Sequence, residues 1–200
     1  IGYRKAYPII IQGLQRLEYR GYDSAGIVLY DGKDINLSKT KGKVSDLQAK
    51  VKNDISVKGN IGFGHTRWAT HGVPNHINSH PHLSQSKNLV IVHNGIIENY
   101  DTLKKELVSR GYHFHSDTDT EVLINLIEEI KTQEKCKLGK AVQLALNQVI
   151  GAYAILVFDK KKPDELIVAK LGSPIAMGIG KNNKEFFIAS DATPFIEYTK

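Results

Sequence analysis

Two short segments in the first half of the chain carry the residue types best suited to chemistry. Residues 65–72 read HTRWATHG, and residues 92–95 read VHNG. Together these segments offer a permanently charged guanidinium, a large aromatic ring, two hydroxyls and a side-chain amide next to a glycine. Such a set is suited to binding a small zwitterion and stabilising an oxyanion. A third segment, residues 116–121 (SDTDTE), adds carboxylates that could hold an amino group, although no evident nucleophile accompanies them.

Arg67 and Trp68 each have a functional and a structural interpretation. A guanidinium at the end of a strand can form a paired hydrogen bond with a carboxylate, which a lysine cannot match in geometry. The structural alternative for Arg67 is a surface ion pair, worth about 0–1 kcal/mol. Trp68 is the only tryptophan. It either fills the core, which is the usual role of this residue type, or forms with Thr70 and His71 a mobile flap over a ligand.

The Asn94-Gly95 pair also has two interpretations. Asn-Gly after an aliphatic run is typical of a tight hairpin turn, because both residues tolerate positive φ. The residues that follow, 96–100, lead towards a helix rather than a partner strand. In the functional interpretation the Asn94 amide and the Gly95 backbone N–H converge on a developing oxyanion, and loss of one such donor typically lowers the rate about 10²- to 10³-fold. The two interpretations are compatible, since a turn can present both donors.

The acidic segment fits the start of a helix. Thr118 and Glu121 have the spacing of a capping box. Asp119 either favours the positive end of that helix, by about 0.3–1 kcal/mol, or holds the ammonium group of a substrate. Both roles stay open at this point.

The other reactive side chains give weaker signals. His76, His80 and His82 lie close together, but their spacing is not that of a metal site, so we expect neither a metal nor a cofactor. Ser24 lacks the Gly-x-Ser-x-Gly elbow of a serine hydrolase. Cys136 is the single cysteine, which excludes an internal disulfide and a thiolate metal cluster. It lies in a polar stretch between lysines and is expected to be a solvent-exposed bystander.

Composition excludes several classes of protein. Two hundred residues with 41% apolar content are enough for one domain with a sizeable core. The net charge of +6 is modest and spread out, and its densest run, residues 160–162, is expected to be a solvated turn. Basic residues interleaved with aromatics on one face are not found, which argues against nucleic-acid binding. The longest apolar runs are too short to cross a bilayer and no signal segment opens the chain, so we expect a cytoplasmic location.

Hydrophobic periodicity predicts a series of helices and strands. The predicted helices cover residues 7–19, 44–51, 101–110, 120–131 and 138–149. The predicted strands cover residues 25–30, 35–38, 61–66, 89–93, 152–158, 165–170, 175–179 and 186–189. The last four are spaced roughly ten residues apart, which suggests an antiparallel meander. Residues 195–200 resemble the start of a further strand.

The order of these elements favours an α+β fold. Strands, helices and strands follow one another without the alternation of a doubly wound parallel fold. Two sheets stacked face to face with helices outside would bury the aliphatic strands, of which residues 89–93 are apolar enough to be buried on both faces. We find no internal repeat and no linker, so the sequence predicts a single domain.

Four motifs jointly resemble those of one enzyme family. They are residues 16–26 (RLEYRGYDSAG), 65–72, 93–99 (HNGIIEN) and 116–121. In this order, across essentially the whole chain, they are similar to the glutaminase domains of the glutamine–fructose-6-phosphate aminotransferases. Lesser matches lie at residues 42–44, 151–153 and 172–174. Asparagine synthetases and phosphoribosyl amidotransferases share the general fold, but the tryptophan after the motif arginine and the run at residues 20–26 point to the sugar-phosphate branch.

The resemblance implies a fold and a reaction. The fold is a four-layer α-β-β-α sandwich of the N-terminal-nucleophile hydrolase type. In this family a cysteine at the mature N-terminus attacks the side-chain amide of L-glutamine, with its own α-amine as general base. A glutamyl thioester forms, ammonia leaves, and water releases glutamate. A C-terminal isomerase domain of the full-length enzyme, which is expected to be a homodimer, uses the ammonia to convert fructose 6-phosphate to glucosamine 6-phosphate.

Matching positions carry the roles of the family to this sequence. Asn94 and Gly95 resemble the oxyanion hole. Arg67 and Asp119 resemble the groups that hold the α-carboxylate and the α-amine of glutamine. Trp68, Thr70 and His71 match the loop that closes over glutamine. Arg20 matches the residue that supports the site from behind. These groups are expected to converge around one hollow of amino-acid size.

The sequence departs from the family pattern at its start. Family members begin Cys-Gly-Ile-Val-Gly, a few residues upstream of the position that Ile1 matches, and Cys136 does not replace that cysteine. Both ends of the chain are therefore expected to be edges of a longer glutaminase domain, and residues 1–200 alone are expected to bind glutamine at best. Two alternatives stay open: a glutaminase domain of another class II amidotransferase, and a non-catalytic glutamine-binding module.

Overall fold

The chain forms two compact units by its backbone contacts. The computed structural model describes residues 2–21, 23–54, 56–68, 73, 75–180 and 183–199. The first unit comprises Ile1–Ala69, Val73–Pro81 and Pro174–Lys200, and the second is built on His82–Ser173. The single domain predicted from the sequence stays a prediction.

Both units combine helices with antiparallel strands. The helices are α1 Ala6–Leu17, α2 Val44–Asp54, α3 Tyr100–Ser109, α4 Asp119–Gln133 and α5 Leu138–Leu146. The strands are β1 Ser24–Tyr30, β2 Ile35–Lys41, β3 Ile61–Arg67, β4 His82–Leu83, β5 Leu89–Ile97, β6 Gly151–Asp159, β7 Leu166–Leu171, β8 Ala176–Ile179 and β9 Phe186–Ala189. In the described part of the chain, none of the helices combines the length and the apolar character needed to span a membrane.

All five predicted helices and the eight strands predicted between residues 25 and 189 are present, with ends that shift by a few residues. The lysine run at residues 160–162 lies in a turn, as expected. The predicted four-strand meander is wrong, because β6 and β7 extend the sheet of β5 whereas β8 and β9 pair with each other. Strand β4 escapes prediction, since two residues are too few for a periodic signal. Ile196–Tyr198 forms a 3₁₀ turn, so the strand expected at the end of the chain is also wrong.

The first unit is built on a sheet of order β2-β1-β3. Successive side chains of a strand point to opposite faces, and one face of β1 is buried against α1 and α2. The β1 residues on this face are Ala25, Ile27 and Leu29. Helix α1 also approaches β3 closely, because a Cβ on Gly62 or Gly64 would lie only 2.7 or 2.5 Å from the Ile10 side chain. The two glycines therefore let the helix rest directly on the strand.

The opposite face of β1 is covered by the segment that ends at Pro81. A Cβ on Gly26 would lie 2.0 Å from the His80 carbonyl oxygen, so only glycine admits this approach. The His80 ring stacks on the ring of His65, in β3, with centroids 4.4 Å apart. The segment that follows the residue 65–72 motif is thus fixed to the sheet of the first unit.

The small sheet of β8 and β9 packs one face against aromatic rings. Phe195 stacks against Phe187 with centroids 6.1 Å apart, and Tyr198 stacks against the same ring at 5.7 Å. The chain has to bend for both rings to reach β9, which explains the 3₁₀ turn in place of the predicted strand.

A buried ion pair anchors the beginning of the chain to β9. The Glu185 side chain, one residue before the strand, is 2% exposed. The Arg4 Nε lies 2.9 Å from each carboxylate oxygen, and the Arg4 Nη2 also donates to this carboxylate. The hydrogen bonds from Arg4 hold the pKa of Glu185 below its ordinary value, although burial alone would raise it.

The second unit is built on a sheet of order β4-β5-β6-β7. Helix α4 contacts β5, α3 and α5, and most of its 15 residues are buried. Apolar side chains of this helix form one core with those of β5 and β6. The buried set also includes polar residues at the first turn of α4, next to the end of β5.

We predict that Gly26→Ala lowers the free energy of unfolding by about 1–3 kcal/mol, because the added methyl group overlaps the His80 carbonyl oxygen. The matched control is Gly139→Ala in α5. There a Cβ would make only an ordinary contact, 3.5 Å from Ile167, and alanine is the better helix former. Thermal unfolding measures both variants. An unchanged midpoint for Gly26→Ala would contradict the packing on β1.

A second prediction concerns acid stability. Because the native pKa of Glu185 is lowered, its contribution to stability is fully present above the ordinary value of 4.5 and is lost as the pH falls through the lower native value. Glu185→Gln removes this contribution. The variant is expected to be less stable than the parent at neutral pH, with a difference that shrinks as the pH falls below 4.5.

Urea unfolding at several pH values measures this difference, and Glu134→Gln, at an exposed position after α4, is the control. A difference between Glu185→Gln and the parent that stayed constant across this pH range would contradict the assignment.

Candidate functional site

The Asn94-Gly95 pair lies inside strand β5 and not in a turn. The strand continues to Ile97 and pairs with β6 throughout, with Asn94 opposite Ala154 and Gly95 opposite Tyr153. The hairpin-turn interpretation is therefore wrong. The strand changes character at this point, because its first residues are buried and Asn94 and Gly95 are exposed. A core strand thus ends by presenting an amide and a glycine backbone on the surface of the second unit.

Gly95 is required by the backbone geometry. Its φ is 133°, in the region that side chains rarely adopt. A Cβ would also lie 2.0 Å from the carbonyl oxygen of Ala152 in β6. Any other residue at this position would push the two strands apart.

Asp119 is the first residue of α4, and its carboxylate is buried against the end of β5. The residue is 5% exposed. Its Oδ2 accepts a hydrogen bond from the backbone N–H of Ile97 at 2.8 Å, and its Oδ1 accepts one from the Thr120 hydroxyl at 3.3 Å. The carboxylate also lies in the first turn of α4, where the helix dipole favours negative charge. Its position is therefore fixed from both elements.

Half of the predicted capping box is confirmed. Thr118 is the N-cap of α4, and its hydroxyl accepts a hydrogen bond from the Glu121 N–H at 3.2 Å. The Glu121 side chain does not complete the box. It accepts hydrogen bonds from the backbone N–H and the hydroxyl of Ser116, both at 2.6 Å, and from the His115 N–H at 3.0 Å. The carboxylate therefore holds the loop that leads into the helix.

Two buried histidines connect the strands of the second unit to the start of α4. His93 Nδ1, in β5, lies 2.9 Å from Thr120 Oγ1 and 4.0 Å from Asp119 Oδ2. His82 Nε2, in β4, lies 3.1 Å from Thr118 Oγ1. Sequence reasoning assigned no role to either histidine. The one feature of the sequence that could have pointed to these contacts is the pair of threonines on either side of Asp119, since each hydroxyl can bind a histidine ring.

Arg67 ends β3 in the first unit and is 4% exposed, so a surface ion pair is the wrong interpretation. Its carbonyl oxygen accepts a hydrogen bond from the Asp23 N–H at 3.2 Å. A Cβ on Gly21 would lie 3.1 Å from the Arg67 backbone, so this glycine lets the chain pass closely. Trp68 is 61% exposed, which excludes the core-filling interpretation.

Arg20 forms an ion pair within the first unit. Its Nη1 lies 2.9 Å from Asp191 Oδ2. Burial alone would raise the pKa of Asp191, but hydrogen bonds from Thr193 and the Arg20 charge lower it. The expected support of a substrate site by Arg20 stays a prediction. Thr70 and His71 lie outside the described residues.

The remaining reactive side chains are dispersed. Among the residues that the structure describes, no three histidine, cysteine or acidic side chains come together as a candidate metal site. Cys136 is half-buried against the core of the second unit rather than fully exposed as expected. The packing of Cys136 against apolar neighbours between α4 and α5 explains the difference.

Relatives match the whole chain. Residues 50–200 match the family model described as a glutamine amidotransferase domain. The glutamine–fructose-6-phosphate aminotransferase (isomerizing) of Bacteroides thetaiotaomicron is 59% identical over 100% of this chain and 32% of its own length. The enzyme of the same name from Pyrococcus horikoshii is 49% identical over 100% of this chain and 33% of its own length. The chain thus spans about a third of the length of these curated relatives.

A solved structure of an amidotransferase also matches nearly the whole chain. The glutamine phosphoribosylpyrophosphate amidotransferase of B. subtilis, complexed with ADP and GMP, superposes with a TM-score of 0.82 at 30% identity, over 98% of this chain and 41% of that chain. This neighbour is a class II amidotransferase with the fold of the N-terminal-nucleophile hydrolases, and its mixed α/β structure with antiparallel sheets confirms the fold class predicted from the sequence. The chain belongs to the glutamine amidotransferase domain family.

Proposed function

We propose that this chain is the glutaminase domain of a glutamine–fructose-6-phosphate aminotransferase. It would hydrolyse L-glutamine to glutamate and ammonia, which the full-length protein would use to convert fructose 6-phosphate to glucosamine 6-phosphate. The observation that carries the proposal is the junction of β5 and α4, where an exposed amide and glycine lie on the strand whose end is bound to a buried carboxylate. The relatives named above support the choice of acceptor.

The oxyanion of the tetrahedral intermediate would be stabilised by Asn94 and Gly95. The Asn94 side chain is exposed at the end of a rigid strand, where an amide N–H can donate to an oxyanion. The N–H groups of a strand that are two residues apart point to the same edge. Because the Ile97 N–H donates to Asp119, this alternation predicts that the Gly95 N–H faces the same edge.

The two charged groups on the α-carbon of glutamine would be bound by Asp119 and Arg67. The Asp119 carboxylate accepts one hydrogen bond on each oxygen from its own chain, and its remaining lone pairs can accept from the α-ammonium group. The buried guanidinium of Arg67 suits the α-carboxylate, which it can bind with two parallel hydrogen bonds. The loop that closes over glutamine would contain the exposed Trp68 together with Thr70 and His71. Arg20 would support the site from behind.

The nucleophile of the family is an N-terminal cysteine whose thiolate attacks the amide carbonyl. Its α-amine accepts the thiol proton and returns a proton to the departing ammonia, and water then cleaves the thioester. Cys136 does not fit this role, because it lies after α4 and packs against the core. Since it is the one cysteine of residues 1–200, a polypeptide limited to these residues is proposed to bind glutamine without hydrolysing it.

The rest of the full-length protein is proposed from the resemblance alone. The glutaminase domain would extend beyond residues 1–200 at both ends, and a C-terminal isomerase domain would bind the sugar phosphate. The complete enzyme would be a cytoplasmic homodimer. The ammonia acceptor distinguishes this proposal from the related class II amidotransferases.

Two variants of the complete protein that contains this sequence test the proposal. Asn94→Ala is expected to lower the turnover of glutamine about 10²- to 10³-fold, because one oxyanion donor is lost. Cys136→Ala is the matched control and is expected to leave turnover unchanged. The measurement is the formation of glutamate and of glucosamine 6-phosphate from glutamine and fructose 6-phosphate.

Each outcome decides one part of the proposal. Full activity of Asn94→Ala would overturn the oxyanion assignment. Inactivity of Cys136→Ala in a folded protein would overturn the exclusion of this thiol. Glutamate formation that fructose 6-phosphate never converts into glucosamine 6-phosphate would assign the chain to an amidotransferase with another acceptor.

A further inference from the structure

We propose that Thr120 is a positioning residue that orients the Asp119 carboxylate for the substrate ammonium group. Thr120 also links this carboxylate to His93 in β5, the strand that carries the proposed oxyanion donors. This inference rests on the proposed function of Asp119 and adds a residue to which the family motifs assign no role. It concerns contacts within the second unit only.

The Thr120 hydroxyl lies between two polar side chains in a buried position. The residue is 0% exposed. Its Oγ1 donates to Asp119 Oδ1 at 3.3 Å and lies 2.9 Å from His93 Nδ1. A hydroxyl has one proton to donate and lone pairs to accept. Because the proton is directed to Asp119, the short contact to His93 requires a proton on Nδ1, which donates to Thr120.

The direction of these hydrogen bonds matters for Asp119. The terminal torsion of an aspartate is broad, so one hydrogen bond does not fix the plane of the carboxylate. The Ile97 N–H binds Oδ2 and the Thr120 hydroxyl binds Oδ1. Two donors on two different oxygens fix the plane of the Asp119 carboxylate. The directions of its remaining lone pairs, which would accept from the substrate ammonium group, are then fixed as well. Without the hydroxyl, the carboxylate can turn about its contact with Ile97.

His93 connects the hydrogen bonds of Asp119 and Thr120 to the proposed oxyanion donors. It is the residue directly before Asn94 in β5, and its side chain is 1% exposed. The chain from His93 through Thr120 to Asp119 therefore joins the strand of the oxyanion donors to the group that binds the ammonium. This buried link would fix the distance between the group that binds the ammonium of glutamine and the donors that bind its amide oxygen.

A positioning role makes a prediction that a purely structural role does not. An ammonium contact is present in the ground state and in the transition state, so weakening it raises KM and leaves kcat unchanged. Thr120→Val keeps the shape of the side chain and removes the hydroxyl. We expect a roughly tenfold higher KM for glutamine with a kcat close to that of the parent, the size typical of a lost hydrogen bond to a charged group. Thr120→Ser retains the hydroxyl and is expected to restore KM.

Two inhibitors separate the ammonium contact from general damage to the site. Glutamate carries the α-ammonium group, and glutarate has the same two carboxylates without it. In the complete enzyme, Thr120→Val is expected to weaken inhibition by glutamate about tenfold and to leave inhibition by glutarate unchanged. Equal weakening for both inhibitors, or an unchanged constant for glutamate, would overturn the inference. A fall in kcat at constant KM would also overturn it.

Asp119→Asn distinguishes the failure of this inference from the failure of the proposed function. If Asp119→Asn leaves the ratio of the two inhibition constants unchanged, the assignment of Asp119 to the ammonium group fails. If Asp119→Asn lowers the preference for glutamate and Thr120→Val does not, only the role of Thr120 fails. Should Thr120→Val not fold, Thr120→Ala gives the same comparison, because alanine is the best helix former and lacks the same hydroxyl.

Discussion

The hydrogen bond from the Ile97 N–H to the Asp119 carboxylate joins the end of β5 to the start of α4. A buried carboxylate is stable only with good hydrogen-bond partners, and a buried N–H needs an acceptor. Each group therefore satisfies the other. The same contact brings the exposed amide of Asn94 and the substrate-binding candidate Asp119 into one rigid part of the second unit. The proposed chemistry depends on this junction, since without it the Asp119 carboxylate would not be held next to the strand that carries Asn94 and Gly95.

Both units contain close backbone approaches that only glycine permits. Gly95 lies where a Cβ would meet the Ala152 carbonyl, and Gly26 lies where a Cβ would meet the His80 carbonyl. Both carbonyl oxygens would be 2.0 Å from the added atom. In the first unit, Gly21 allows the chain to pass the backbone of Arg67 in a similar way. At these three motif positions, glycine thus allows two stretches of backbone to pack closely.

The helices and most strands could be predicted from the sequence, because periodicity is a local property of the chain. The failures occur where a contact between distant residues decides. The strand β5 was expected to end at His93, but pairing with β6 carries it through Asn94 and Gly95 to Ile97. The end of the chain was expected to be a strand, but stacking of Phe195 and Tyr198 on Phe187 bends it into a turn.

By itself the sequence determined the motifs and, through them, the family, because residue types at fixed spacing need no knowledge of the fold. It also identified Thr118 as a helix cap, since the hydroxyl and the N–H that it accepts lie three residues apart. Only the tertiary structure decided that Arg67 is buried and Trp68 exposed, and that Glu121 binds the preceding loop. The link from His93 to Thr120 spans 27 residues. Such a partner depends on how strand and helix pack, and no local pattern records it.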